Sequence, residues 1–474
     1  MSSKVVEPRS AASTGGPINE YVGTNFGRFL DELIAWLKIP SISALSQHKG
    51  DVLQSVDFAD GLLKEMGFRT EVWPTKGHPS LFAEKMTDDS KPTVLIYGHL
   101  DVQPVDPLKL WKKPPFEPWQ EGDRLYGRGT ADDKGQTMMH IKACQAILNT
   151  RGRLPVNVKF IIEGEEEIGS PNFETLVNEH REQLSNDAVV ISDTAMVGEN
   201  CPTISYATRG LVYFDLIVQG PQIDLHSGGF GGAVANPALA LAKILSAMTD
   251  AKGRVTIPGF YNNVAKLSKE EQRWFKRARF MAKELEAAAG VPLTGGEKGL
   301  DPITRVWARP TFEVHGLVGG FLNEEGSKTI IPSSARAKVS MRLVPKQNPD
   351  QVAKSFERYV AKLAPKGLRV TVRRLEGGGP AFLENVNSPA MEAARKALHE
   401  VFGVEPYWER CGGSIFAPDL FKKAFPKTPV IMLGFGLPGE NAHAPNEWLD
   451  LKNFKRGILT AARFYELLGR ANRN

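Results

Sequence analysis

The chain has 474 residues, enough for two or three hydrophobic cores rather than one. Its 59 basic and 54 acidic residues leave a net charge of +5, too small an imbalance on so large a surface to suggest nucleic acid as a partner. Hydrophobic residues at 42% and charged residues at 24% are ordinary for a soluble globular protein, no apolar run is long enough to span a bilayer, and three cysteines (Cys144, Cys201, Cys411) form neither a disulfide framework nor a metal pattern.

Residues 1–17 are polar, lack the apolar stretch of a secretion signal and read as a loose tail. With the sparse cysteines, this predicts a reducing, cytoplasmic setting. FGRFLDELIAWLKIPSIS then reads as an amphipathic helix, with Phe29, Leu30, Leu33, Ile34 and Leu37 at helical spacing. Beyond it, short apolar runs alternate with helical patterns, as in an α/β fold. TVLIYGHLD ends in His99 and Asp101. VKFIIEGEEE ends in Glu165, Glu166 and Glu167. AVVISD ends in Asp193, and PVIMLGFG leads into a loop carrying His443. Ligands bind at the carboxyl ends of strands in open α/β sheets, so four strands delivering such groups to one end predict a shared site.

The character changes between residues 209 and 378. GLVYFDLIVQG alternates as a strand and is read as an open edge that something must pair with or cover. ARAKVSMRLVP places Ala337, Val339, Met341 and Leu343 on one face and Lys338, Ser340 and Arg342 on the other. PDQVAKSFERYVAKLAP puts Val352, Phe356, Tyr359, Val360 and Leu363 on one helical stripe. KRAR at 276–279, in a segment opened by a Ser268/Glu271 capping box, reads as a solvated helix face. The expected organisation is a first domain at 18–208 completed by 379–474, with an α+β domain at 209–378 inserted into it.

Adjacent glutamates repel, and a divalent cation among them removes the repulsion. Imidazole nitrogen with carboxylate oxygen is ordinary zinc chemistry. The ligand candidates are His99, Asp132 from GTADDKGQ, Glu167, Asp193 and His443. Asp132 alone reads more simply as a helix cap, Asp193 as a strand-end residue and His99 as a hydrogen-bonded histidine; the set together points to metal. Asp101, two residues after His99, would fix the tautomer of that ring. Glu166, beside a ligand but itself spare, is the expected general base for a hydrolase. Glu165 is expected to face solvent or to support the ligands.

GHLDVQP, GRGTADDKGQ, EGEEEIGS, SDTAM, HSGGFGGAVANP, RLVP, GGSIFAP and AHAPNE resemble, in order and over nearly the whole chain, the motifs of the M20 family of metallopeptidases. Within that family the chain is most similar to the cytosolic non-specific dipeptidases and carnosinases. The resemblance implies a zinc-peptidase-type catalytic domain with an inserted lid and dimerisation domain. It also implies two divalent ions per subunit, zinc first, with manganese or cobalt as alternatives. His99 and Asp193 would hold one ion and Glu167 and His443 the other, with Asp132 bridging through a cis Asp132–Asp133 bond. It makes Glu166 the base, Asp101 the orienting aspartate, and His226 a histidine that completes the active site of the neighbouring subunit in a homodimer. On local sequence His226 reads equally well as a turn histidine. Arg342, Gly413 and Ser414 match residues that receive the substrate's carboxylate and backbone, and Thr329 a lid residue near the substrate.

Two positions depart from the dipeptidase pattern. Glu376 stands where those enzymes carry histidine, and Cys411 where they carry glutamate before the paired glycines. Both fall around the substrate. The expected activity is hydrolysis of a dipeptide or similar small peptide. The alternatives are an N-acyl amino acid hydrolase and a non-catalytic binding protein, the latter disfavoured because every ligand and the base are present.

Overall fold

The computed structural model describes residues 16–322, 325–375 and 378–471. All but the last two residues of the expected tail, and Glu376, lie outside them. The described chain forms two compact units. Among the described residues, the first holds those of 16–206, 384–409 and 416–471, and the second those of 207–322, 325–375, 378–383 and 410–415.

The first unit is an α/β structure on an eight-stranded mixed sheet. The order across it is Arg69–Trp73, Ser80–Lys85, Asn157–Glu163, Thr93–His99, Ala188–Ile191, Val430–Met432, Thr203–Ala207 and Tyr407–Arg410. The middle four run parallel, Thr93–His99 pairing with both Asn157–Glu163 and Ala188–Ile191, and Ala188–Ile191 with Val430–Met432. Every residue of Thr93–His99 and Asn157–Glu163 is buried, as expected of parallel strands covered on both faces. The four strands singled out in the sequence are these four, and their carboxyl ends point the same way.

The helices Pro17–Leu37, Lys134–Arg151, Pro389–Phe402 and Leu451–Ala471 pack on one another and share a single core with the sheet. The first begins at Pro17, nine residues before the amphipathic run read from sequence, because proline at the first turn is tolerated where its missing N–H is not needed. Cys144 is buried in this core. Tyr97, Phe173 and Phe421 meet edge to face at 5.3–5.8 Å, tying Phe173–Glu179 and Ala417–Ala424 to the sheet. A Cβ on Gly98 would fall 2.0 Å from Thr137 Oγ1, so glycine is what lets the helix Lys134–Arg151 lie close behind His99.

The second unit is a four-stranded antiparallel sheet in the order Thr311–Gly319, Ser334–Leu343, Gly210–Gln219, Arg369–Arg374. The alternation read in Ser334–Leu343 is real: Ala337, Val339, Met341 and Leu343 join Val212, Phe214, Leu216 and Val218 under Pro237–Ser246 and Pro349–Leu363. Val352, Phe356 and Val360 face that core. Ser268 and Glu271 form the expected capping box, and Lys276, Arg277 and Arg279 are exposed.

One expectation is corrected. Gly210–Gln219 is not an edge; it pairs with Ser334–Leu343 along its full ten residues and with Arg369–Arg374 on its other side. Its alternating burial reports which face meets the core, and that pattern is the same whether or not a second strand pairs along its other side. An edge is instead Thr311–Gly319, where Val314, Leu317 and Val318 are 46%, 57% and 55% exposed.

Candidate metal centre

His99 is buried at the end of its strand. Its Nδ1 lies 3.0 Å from the Asp101 carbonyl oxygen and 3.5 Å from Asp101 Oδ1, and its Nε2 lies 3.0 Å from Asp132 Oδ1. On the other side Asp132 Oδ2 lies 2.9 Å from Nε2 of His443, which is 3.3 Å from Glu167 Oε2. The potential ligand atoms of His99, Asp132 and Asp193 all lie within 4.8 Å of one another, as do those of Asp132, Glu167 and His443. Asp132 belongs to both groups. Its carboxylate faces two imidazoles and caps no helix; the residue at the cap position of Lys134–Arg151 is Asp133.

Two carboxylates, those of Glu447 and Asp133, shape the backbone around Asp132. Glu447 accepts the backbone N–H groups of Gly129, Ala131 and Asp132 at 2.9, 2.9 and 3.2 Å and pairs with Arg128 at 2.7 Å, so one buried carboxylate shapes the whole loop. The Asp132–Asp133 peptide is cis. The Asp133 carboxylate turns inward, accepting from Thr137 Oγ1 at 2.9 Å and from His99 N at 3.3 Å.

The glutamate turn is held as firmly. Asp101 accepts the N–H groups of Glu166 and Glu167 at 3.2 and 3.0 Å. Gln103 Nε2 donates to Glu167 Oε2 at 2.7 Å. Glu165 does not face solvent: it is buried and accepts from His78 N at 2.9 Å and from the Asn172 amide at 3.1 and 2.9 Å. Its neighbours on both sides of the turn claim both oxygens, which leaves it a structural clamp. The Glu166 carboxylate takes no hydrogen bond among the described residues. His443 sits on an exposed loop at φ +62°, and Asn446 fastens that loop, accepting from Lys112 N at 2.7 Å and donating to Leu110 O at 2.8 Å.

The electrostatics fit a cation. Burial opposes charge on both Asp132 and His99, yet hydrogen bonds between them and from their neighbours prevail, holding Asp132 below the ordinary carboxylate range and raising His99 well above the ordinary imidazole range. Hydrogen bonds to Asp132 and Glu167 push His443 up to about 10. Burial, with the Asp132 charge, drives Asp193 well up, and burial with the Glu167 charge brings Glu166 to about 7. Left to themselves, these side chains need protonated imidazoles and a protonated Asp193. A divalent ion in each group reverses that preference, keeping carboxylates ionised and Nε2 lone pairs available. The donors present, two imidazoles and three carboxylates in two overlapping sets, therefore fit a pair of ions.

The remaining predicted residues belong to the second unit. The short strand Leu225–His226 pairs with Ile330–Ile331, and Ser227 N donates to Thr329 O at 2.9 Å, so His226 and Thr329 are brought together through the backbone. His226 Nδ1 accepts from Gly228 N at 3.0 Å, which leaves its ring proton on an exposed Nε2. Arg342 Nη1 donates to Ser414 Oγ at 2.7 Å, and Gly413 O accepts from Arg209 N at 2.9 Å. Sequence reasoning did not assign Gln103, Glu447 or Arg209. The first two stand inside GHLDVQP and AHAPNE, but neither has a spacing that predicts its partner.

Residues 95–467 match the description of peptidase family M20/M25/M40. The chain belongs to this family. It is 31% identical to the Beta-Ala-His dipeptidase of Homo sapiens over 464 residues, covering 94% of this chain and 91% of that protein. To the Cys-Gly metallodipeptidase DUG1 of Candida albicans it is 32% identical over 468 residues, covering 94% and 95%. Among solved structures, the M20 family metallo-carboxypeptidase Sso-CP2 from Sulfolobus solfataricus superposes with a TM-score of 0.82 at 34% identity, over 93% of this chain and 99% of that one. No helix among the described residues is long and apolar enough to cross a membrane.

Proposed function

We propose that this M20 chain is a dinuclear metallopeptidase that hydrolyses the amide bond of dipeptides. The observation that carries the reading is Asp132, a single carboxylate with His99 at one oxygen and His443 at the other, 3.0 and 2.9 Å away. His99 and Asp193 would hold one ion, Glu167 and His443 the second, and Asp132 would bridge them. The nitrogen and oxygen donors suit zinc, with manganese or cobalt as alternatives. When bound, the ions supply a Lewis acid for the substrate carbonyl and make a nucleophile of water near neutral pH.

Glu166 is the base in this reading. Its backbone is tied to Asp101 while its carboxylate stays uncommitted, so it can take a proton from the attacking water and pass it to the leaving amine. Asp101 holds the His99 ring. Arg342, with Gly413 and Ser414, receives the substrate's carboxylate and backbone, a guanidinium being suited to paired bonds. His226 offers its Nε2–H to the oxyanion of the tetrahedral intermediate in the partner subunit, with Thr329 beside it. In this scheme 18–208 and 379–474 form the catalytic domain and 209–378 the lid and dimerisation domain. The exposed apolar edge Thr311–Gly319 supports a homodimer, since an open edge of this kind is an aggregation hazard unless covered.

The dipeptide substrate is supported by the names of the human and Candida relatives. The N-acyl amino acid reading draws no such support. A second reading, release of the last residue from longer peptides, is favoured by the Sulfolobus relative, a metallo-carboxypeptidase. A ladder from dialanine to pentaalanine, with N-acetylalanine as a further arm, separates the three. The protein is stripped with a chelator and restored with zinc, manganese or cobalt in turn. Dialanine hydrolysis that vanishes and returns is expected. Full turnover by protein shown to be metal-free by elemental analysis overturns the proposal.

A further inference from the structure

The second unit carries a half-open cavity of about 680 Å³ whose lining includes four arginines, Arg209, Arg305, Arg309 and Arg342, against two glutamates, Glu297 and Glu313. Arg309 and Glu297 neutralise each other through paired bonds of 2.7 and 3.0 Å. Arg305 is taken up by the carbonyl oxygens of Leu293, at 2.9 Å, and Gly295. Arg209 and Arg342 remain. Each gives one side-chain N–H to the segment 410–415, Arg209 Nε to Gly412 O at 2.8 Å and Arg342 Nη1 to Ser414 Oγ at 2.7 Å. Neither forms an ion pair among the described residues, and the two terminal nitrogens of Arg209 donate to no protein acceptor there.

The strand register makes these two cations neighbours. Arg342 stands opposite Leu211, and Arg209 lies two residues before Leu211, the diagonal position on the same face. Burial lowers the Arg209 pKa to about 10, with the Arg342 charge contributing and Cys411 and Glu313 opposing. Glu313 shares that face, opposite Ser340, but it is exposed and pairs with neither. Two partly buried like charges with no directly paired counter-ion repel and are poorly solvated, so the site is suited to an anion. A single α-carboxylate answers one guanidinium, and the cavity has room for a side chain beyond it.

We propose that Arg209 is a specificity-determining residue which, with Arg342, forms a two-guanidinium site selecting dipeptides whose C-terminal residue carries a second carboxylate, aspartate or glutamate. This rests on Arg342 receiving the substrate carboxylate, as proposed above. The α-carboxylate and the side-chain carboxylate engage one guanidinium each.

The test compares kcat/KM for Ala-Glu and Ala-Ala in the metal-loaded enzyme. The wild type favours Ala-Glu by about tenfold or more, chiefly through KM. Arg209→Gln lowers that ratio at least tenfold, Arg209→Lys restores part of it, and Glu313→Gln raises it. A role confined to pinning the loop lowers both substrates alike and leaves the ratio unmoved, which overturns the inference. If Arg209→Gln does not fold, the wild type decides alone: no preference for Ala-Glu overturns it equally. A binding readout keeps this apart from the reading it rests on. Glutarate raises the melting temperature of the wild type more than butyrate does, and Arg342→Gln abolishes the difference. Equal shifts for the two acids overturn the inference even where dialanine is hydrolysed. Failure to hydrolyse any dipeptide, with the glutarate effect present, overturns the dipeptidase reading and leaves the two-guanidinium site standing.

Discussion

Asp101 and Glu167 are joined directly: the Glu167 N–H donates to Asp101 Oδ2 at 3.0 Å. The same carboxylate takes the Glu166 N–H at 3.2 Å and the Ser43 hydroxyl at 2.6 Å, and it lies 3.5 Å from His99 Nδ1. One side chain thus sets the ring of a proposed ligand and the register of the glutamate turn.

Replacing Asp101 should therefore act on metal and turnover together. Asp101→Ala is expected to lower metal affinity or activity by about ten- to a hundredfold, the usual cost of losing a partner that orients a ligand. Asp101→Asn, which keeps one acceptor oxygen, should fall between. Metal content by elemental analysis and kcat/KM measured on the same samples check this. Wild-type values in Asp101→Ala would remove Asp101 from the scheme.

Glu166 and Glu167 are adjacent but should fail differently. Glu166→Gln keeps the shape and removes the base, so metals stay bound while kcat falls on the order of a hundredfold or more. Glu167→Gln should weaken metal binding first, because Glu167 lies within one of the two ligand groups. Equal activity in Glu166→Gln and wild type would require another base. Glu165 cannot serve as it stands, since both its oxygens are already hydrogen-bonded.

The pattern of what sequence reveals here follows from the physics of each feature. The parallel strands were legible because burial on both faces forces largely apolar runs, with Lys159 an exception inside Asn157–Glu163, and their ends carry the candidate ligands. Ser334–Leu343 was legible because one face is wet, which imposes alternation. The edge assignment failed because a run such as Gly210–Gln219 says how its faces are solvated, not which strands flank it. Gln103 and Glu447 were missed for a related reason. Each works through a partner distant along the chain, Glu167 for one and the loop 128–132 for the other, and no local spacing encodes that distance. The grouping of residues 410–415 with the second unit has no compositional mark at all.

Glu409 gives a pH dependence away from the metals. Burial, opposed only by the hydrogen bond from Ser205 Oγ at 2.8 Å, raises its pKa from 4.5 to about 7. Between these values the folded chain keeps a proton that the unfolded chain releases. Its contribution to stability is thus present in full below about 4.5, is lost as pH rises to about 7, and stays lost above. The loss is on the order of 3 kcal/mol. Glu409→Gln removes this titration. Its urea midpoint should nearly match the wild type at pH 5 and exceed it at pH 8, each pair being compared in the same buffer. Midpoints that differ equally at both pH values would place the ionisation of Glu409 elsewhere.

Assembly supplies the last test. The edge strand Thr311–Gly319 exposes Val314, Leu317 and Val318, and His226 holds its free Nε2–H on an exposed turn. A twofold dimer through the second unit would cover an apolar edge and, under the proposed scheme, let His226 serve the partner's metals. Each of the two sites would then depend on both chains. His226→Ala and Glu166→Gln are each expected to be inactive as pure proteins. Dissociated and reassembled together, they form mixed dimers in which one composite site carries both lesions and the other carries neither. Activity should reappear, approaching half the wild-type value per mixed dimer. No recovery, with mixed dimers demonstrated by differently tagged chains, would confine His226 to its own subunit or to the turn it caps. A chain that stays monomeric at all concentrations while fully active would remove the dimer from the mechanism altogether.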